Sequence, residues 1–158
     1  MEISSILIGL GCLALIISPI FLLNLSRKRK GQKILSKIQS QATKNNGKIT
    51  VYEYWNNYAI GIDSNAGRVY YFSTLDKNKE FQEVDLLQVQ ACKISNIRNS
   101  ETDNESLVLE FSFLNKTINR KIEFYNSEHD GLTMHNEFQV AEKWLKTIEK
   151  FRETLKKK

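Results

Sequence analysis

Proline occurs once, at Pro19, and cysteine and histidine twice each in 158 residues. A single proline with seven glycines excludes a collagenous or proline-rich chain. Two cysteines exclude a disulfide-stapled module: Cys12 sits in an apolar run and Cys92 in an alternating stretch, where it reads as a small buried hydrophobe. The scarcity of histidine and cysteine also leaves little to build a metal site from. His129 and His135 lie six apart beside Glu128 and Asp130, a spacing that reads as a surface loop entering a helix. Ser127-Glu128-His129-Asp130 holds the residue types of a catalytic triad only as sequence neighbours, which sets no nucleophile and base geometry, and it reads as a turn. A phosphate-cradling glycine loop is missing as well. The expectation is a protein that is not an enzyme and holds no cofactor or metal.

One apolar run is long. Residues 3 to 25 carry no charge and, as a helix, reach roughly 34 Å. That crosses a hydrocarbon core of about 30 Å, and a helix is the only single-segment solution in lipid. Ser4, Ser5 and Ser18 can bond back to their own backbone, and Pro19 introduces a local kink. A cleaved signal peptide predicts a basic start and a shorter apolar stretch, whereas this chain opens Met1-Glu2. The basic cluster Arg27, Lys28, Arg29, Lys30, reinforced by Lys33, follows the run instead. By the positive-inside rule the amino terminus faces outward and the remainder faces the cytoplasm, as in a single-pass protein of the inner (plasma) membrane. Gly9, Gly11, Ala14 and Ser18 leave a helix face open to self-association, as a homo-oligomer, or to a partner helix.

The net charge of +5 is unevenly placed. Residues 1–46 hold seven Lys/Arg against one acid, residues 47–134 nine against thirteen, and residues 135–158 seven against four. A nucleic-acid binder carries its excess on the folded reading face, and here that region is acidic, so nucleic acid is excluded as a partner. Arg27, Lys28, Arg29, Lys30 and Lys33 form a membrane-surface flank able to attract anionic headgroups at about 1 kcal/mol each.

Three segments follow from this division: an anchor over 1–26, a basic juxtamembrane stalk over 27–46, and a domain over 47–158. Ile34, Leu35, Ile38 and Ala42 recur at helical spacing, so the stalk is read as a helix ended by Asn45-Asn46-Gly47. Thereafter the period is two. Ile49–Trp55 and Tyr58–Asp63 flank a two-residue Asn56-Asn57 turn, and Arg68–Ser73, Phe81–Asp85, Leu87–Ile94, Leu107–Phe113 and Ile118–Tyr125 complete seven antiparallel strands in a meander. Asn96 to Glu105 reads as a loop. In Leu107, Leu109, Phe111 and Phe113 one face is apolar. Gly61 within its strand marks a bulge or a close approach. Phe138, Ala141, Leu145, Ile148 and Leu155, with Trp144 and Phe151, then form a helical stripe, preceded by a capping-box pattern at Asn136 and Gln139. The fold class expected is α+β: a transmembrane helix, then a seven-stranded antiparallel sheet or barrel capped by a C-terminal amphipathic helix.

Tyr58-Ala-Ile-Gly-Ile-Asp63, Val69-Tyr-Tyr-Phe72 and Phe81-Gln-Glu-Val-Asp-Leu-Leu-Gln-Val89, placed within seven strands and one final helix, resemble the pleckstrin-homology-like (PH-like) fold of bacterial membrane-linked proteins over residues 48–158. Phosphoinositide-binding members carry a basic motif in the first hairpin; here it is Glu53-Tyr-Trp-Asn-Asn-Tyr58, so that activity is not implied. Tyr54, Trp55 and Tyr58 crowd the hairpin tip, where they serve either as a protein-binding patch or as cross-strand packing. The functional expectation is a membrane-anchored scaffolding module with a protein partner. The alternative is a sensor of anionic lipid or the membrane surface.

Overall fold

The computed structural model describes residues 31–75, 81–100, 103–113 and 116–156. The apolar run at 3–25 and the basic residues Arg27, Lys28, Arg29 and Lys30 lie outside them. Among the described residues no helix is long and apolar enough to cross a membrane.

Within the described residues helix α1 covers 31–44. It ends where Asn46 adopts a positive φ of 55° and the Gly47 amide returns to the Ala42 carbonyl at 2.8 Å. Seven strands follow: β1 Val51–Trp55, β2 Tyr58–Asp63, β3 Arg68–Ser73, β4 Phe81–Asp85, β5 Val89–Arg98, β6 Glu105–Phe113 and β7 Lys116–Asn126. A one-turn helix α2, Ser127–Asp130, and a long helix α3, Glu137–Lys156, complete the order.

The strands do not form one continuous meander. They make two antiparallel sheets, β1-β2-β3-β4 and β5-β6-β7. The break falls at Asp85–Val89, where Asp85 accepts from the Leu87 amide and the Leu86 amide bonds to the Gly67 carbonyl, turning the chain away before it can pair β5 with β4. β5 also runs further than the sequence suggests: Asn96, Ile97 and Arg98 pair with Leu107, Ser106 and Glu105, so the loop read at 96–105 is confined to its middle.

Between the sheets lies the main core, built on Tyr58, Ile60 and Ile62 of β2, Leu107, Leu109 and Phe111 of β6, and Ile122 and Phe124 of β7. α3 closes it with Ala141, Trp144 and Ile148, which recur every three to four residues and are buried. Leu145, Phe151 and Leu155 pack at its margin. Phe138, expected in this stripe, points outward with 48 % exposure, and Glu137 turns inward in its place. Burying Trp144 and Ile148 contributes about 1.5 to 3 kcal/mol each before entropy.

α1 is helical as its spacing predicts, and it is docked. Ile34, Ile38 and Ala42 are buried against Ile49, Ala59, Tyr70 and Phe72 on the outer face of the first sheet. β2 is buried along its whole length, its even positions facing the main core, Ala59 and Gly61 facing α1, and Asp63 accepting from the amides of Lys48, Asn65 and Ala66. Gly61 lies under this helix. A Cβ there would stand 3.1 Å from Ile49 Cγ2 and 3.4 Å from Ile38 Cγ2, while the register from Tyr52 through Gly61 to Tyr70 runs unbroken. Close approach, and not a bulge, explains this glycine.

Candidate functional site

Asn56 turns the first hairpin with a φ of 42°, a conformation asparagine tolerates better than most residues. The three aromatics expected at its tip are separated by this turn into different environments. Tyr58 is fully buried. Its hydroxyl donates to Asp130 Oδ2 at 2.7 Å with Glu123 Oε1 at 3.2 Å, and burial together with these carboxylates pushes its ionisation far above the ordinary phenol range. Tyr58 is therefore not an outward-facing contact residue: its ring lies parallel to Tyr71 inside the core. Trp55 is half-buried, stacked on Phe124 at 4.8 Å, and its Nε1 donates to the Phe124 carbonyl at 2.9 Å, bridging the first sheet to the second. Tyr54 is half-buried on the opposite face, beside α1.

Trp55 and Tyr54 nevertheless line a groove of about 760 Å³, completed by Asn56, His135, Asn136, Glu137 and Val140. The hairpin and the start of α3 are tied across it, Asn56 Nδ2 donating to Glu137 Oε1 at 2.8 Å while the His135 amide donates to Glu137 Oε2 at 2.7 Å. Burial alone would raise the Glu137 carboxyl; the amides of Glu137 itself and His135, with the Asn56 side chain, outweigh it and hold the group below its usual range. The helix thus begins with its own glutamate reaching back over the first turn, one position from the Asn136 and Gln139 pattern seen in the sequence.

A second cleft, of about 470 Å³, opens between the sheets and is lined by Tyr71, Ser73, Gln82, Val108, Lys121, Glu123 and His129 among others. Its polar groups are largely engaged. Lys121 Nζ meets Glu110 at 3.2 Å, Glu123 accepts from Asn126 Nδ2 at 3.0 Å, and the Tyr71 hydroxyl donates to the Glu123 carbonyl at 2.8 Å. Ser127 and Asp130 are structural too: Ser127 Oγ accepts from the Glu105 amide, and Asp130 Oδ2 from the Asn126 amide. Ser127–Asp130 is thus one helical turn, capped by Asn126, where the sequence suggested only a turn. His129 and His135 border different clefts. Among the described residues no cluster of three His, Cys, Asp or Glu is placed to hold a metal ion. Cys92 is buried under α3, and burial pushes its thiol up to about 12.

The sheet edges differ in how they are finished. On β4, Arg120 Nη1 donates to the Glu83 carbonyl; on β5, Arg152 donates to the carbonyls of Val89 and Gln90; on β7, Trp55 and Tyr71 take Phe124 and Glu123. Among the described residues β1 pairs with β2 alone, and it presents Val51 and Tyr52, 39 % and 54 % exposed. Neither residue stands out in the sequence, because an exposed tyrosine in an alternating strand looks like any other. Lys33 is exposed on α1. No family model, curated protein or solved structure matches the chain.

Proposed function

We propose that the chain is a single-pass membrane-anchored interaction module of PH-like fold, with its domain on the cytoplasmic side, that binds a protein partner along β1 and the adjoining groove. The observation that carries this reading is the edge of β1, which among the described residues is left unfinished. Val51 and Tyr52 are exposed there and continue directly into Tyr54 and Trp55 of the groove, whereas side chains occupy carbonyls on the other three edge strands. An edge strand of this kind accepts an extended peptide by backbone pairing, with neighbouring pockets reading its side chains. The anchor is supported by the uncharged stretch 3–25 and the basic flank after it.

The test is purification of the full chain in mild detergent, in parallel with Tyr52→Lys, whose exposed position leaves the fold intact. A stoichiometric protein that accompanies the wild type and is lost from Tyr52→Lys supports the reading. A partnerless wild type, or a partner indifferent to Tyr52→Lys, overturns it. Protease or impermeant thiol access to a C-terminal tag on intact cells tests the sidedness, and exposure on the outside would reverse it.

A further inference from the structure

We infer that the end of the domain bearing Leu132 and Phe138 rests against the lipid surface itself, an assignment that depends on the anchor proposed above. The argument starts from where the described chain begins. Because Ile34, Ile38 and Ala42 are buried on the sheet, α1 is fixed to the domain, and Gly31 is fixed with it. Gly31 lies against Tyr54, where a Cβ would stand 3.4 Å from Tyr54 Cδ1, so this part of α1 lies at the hairpin end of β1. Only residues 26–30 separate Gly31 from Leu25, the last residue of the uncharged run. In any conformation that stretch reaches at most about 20 Å. A headgroup layer of about 5 to 7 Å takes part of that reach. The hairpin end of the domain is therefore held close to the bilayer.

α3 begins at the same end, as the 2.8 Å bond from Asn56 to Glu137 shows. Two large apolar side chains near this end are left uncovered: Phe138, 48 % exposed and adjacent in sequence to Glu137, and Leu132, 94 % exposed two residues after Asp130, whose carboxylate holds the hydroxyl of Tyr58 just past the hairpin turn. The nearby Glu137 carboxylate is turned inward onto Asn56 and the His135 amide, so no charge from it opposes the contact. Lys33, exposed two residues after Gly31, adds a cation that anionic headgroups attract, and the sequence before Gly31 is basic from Arg27 to Lys30. Apolar side chains at the interface plus adjacent cations are the combination that holds a surface segment to lipid. Leu87, also exposed, belongs to the opposite end, beside the bond from the Leu86 amide to the Gly67 carbonyl.

The experiment uses the full chain with Cys12→Ser, Cys92 being buried, and an environment-sensitive fluorophore on Leu132→Cys, Phe138→Cys or Leu87→Cys. Each is reconstituted into vesicles of equal phosphatidylcholine and phosphatidylglycerol containing lipid spin-labelled near the headgroup. The expected result is loss of most emission at positions 132 and 138 and little loss at 87. Protein that floats with the vesicles but is unquenched at 132 and 138, or quenched equally at 87, overturns this placement alone and leaves the patch for a protein. Protein that does not float overturns the anchor, and this inference with it.

Discussion

Trp144 Nε1 donates to Glu53 Oε2 at 2.7 Å, across 91 residues of chain, and this bond joins the edge strand β1 to the helix that closes the core. Trp144 is almost wholly buried, so Glu53 supplies the acceptor that lets an indole N–H enter an apolar interior. Lys143 meets the same carboxylate at 3.0 Å from a much more exposed position.

Glu53→Ala therefore leaves a buried donor unmet and lowers stability by about 1 to 3 kcal/mol. Glu53→Gln keeps an acceptor and costs less, and Lys143→Ala changes stability by less than about 1 kcal/mol because its ion pair is largely solvated. Urea midpoints of the three variants check the ranking. Equal effects of Lys143→Ala and Glu53→Ala would show that the ion pair, and not the indole bond, matters.

Trp55→Phe retains stacking on Phe124 but loses the bond to its carbonyl, an expected cost of about 1 kcal/mol. Trp55→Ala loses both and costs about 3 kcal/mol. Thermal melting of the two variants separates the contributions, and an alanine variant as stable as wild type would remove the bridge between the sheets from the account.

Gly61→Val places a branched side chain where Ile38 and Ile49 already close in. Overpacking of this kind costs about 1 to 3 kcal/mol. The strain is relieved most directly by lifting α1, so cleavage within residues 31–44 under limited proteolysis should rise before the sheets unfold. Unchanged protection of that segment would indicate that the strand yields instead of the helix.

Glu137 gives a pH signature with a defined sign. Its folded carboxyl is held below the ordinary range, so its contribution is present above the unfolded value of about 4.3 and is lost as pH falls through the folded one. The stability gap between wild type and Glu137→Gln should accordingly be widest near neutrality and shrink on acidification. Denaturant titrations at several pH values check this, and a gap that grows toward acid pH would reverse the sign.

Much of the architecture follows from local pattern. The alternation of Leu107, Leu109, Phe111 and Phe113 specifies β6, Asn56-Asn57 specifies the first hairpin, and Ala141, Trp144 and Ile148 specify the buried face of α3. Pattern identifies strands without naming their partners, and the division into two sheets at Asp85–Val89 is set by turn bonds that leave little trace in hydropathy. The docking of α1 was half visible: Ile34, Ile38 and Ala42 announce a covered face, and Gly61 is the residue that makes room, but nothing in either segment points to the other. Phe138 misleads because it lies one position from Glu137, whose inward turn depends on Asn56, 81 residues away. Tyr58 misleads for the same reason, its acceptors lying 65 and 72 residues along the chain.

That spacing has a bearing on how the domain forms. The hairpin with Glu53 and Trp55 is synthesised long before Trp144, and Trp55 in turn waits for Phe124. Contacts of such separation are formed late, since the intervening chain must first be brought to order. During synthesis the first sheet can assemble under α1 while its inner face still has no lid, and that face stays open to mispairing until α3 arrives. The order in which the two helices are made thus decides which side of the first sheet is protected first: the outer one.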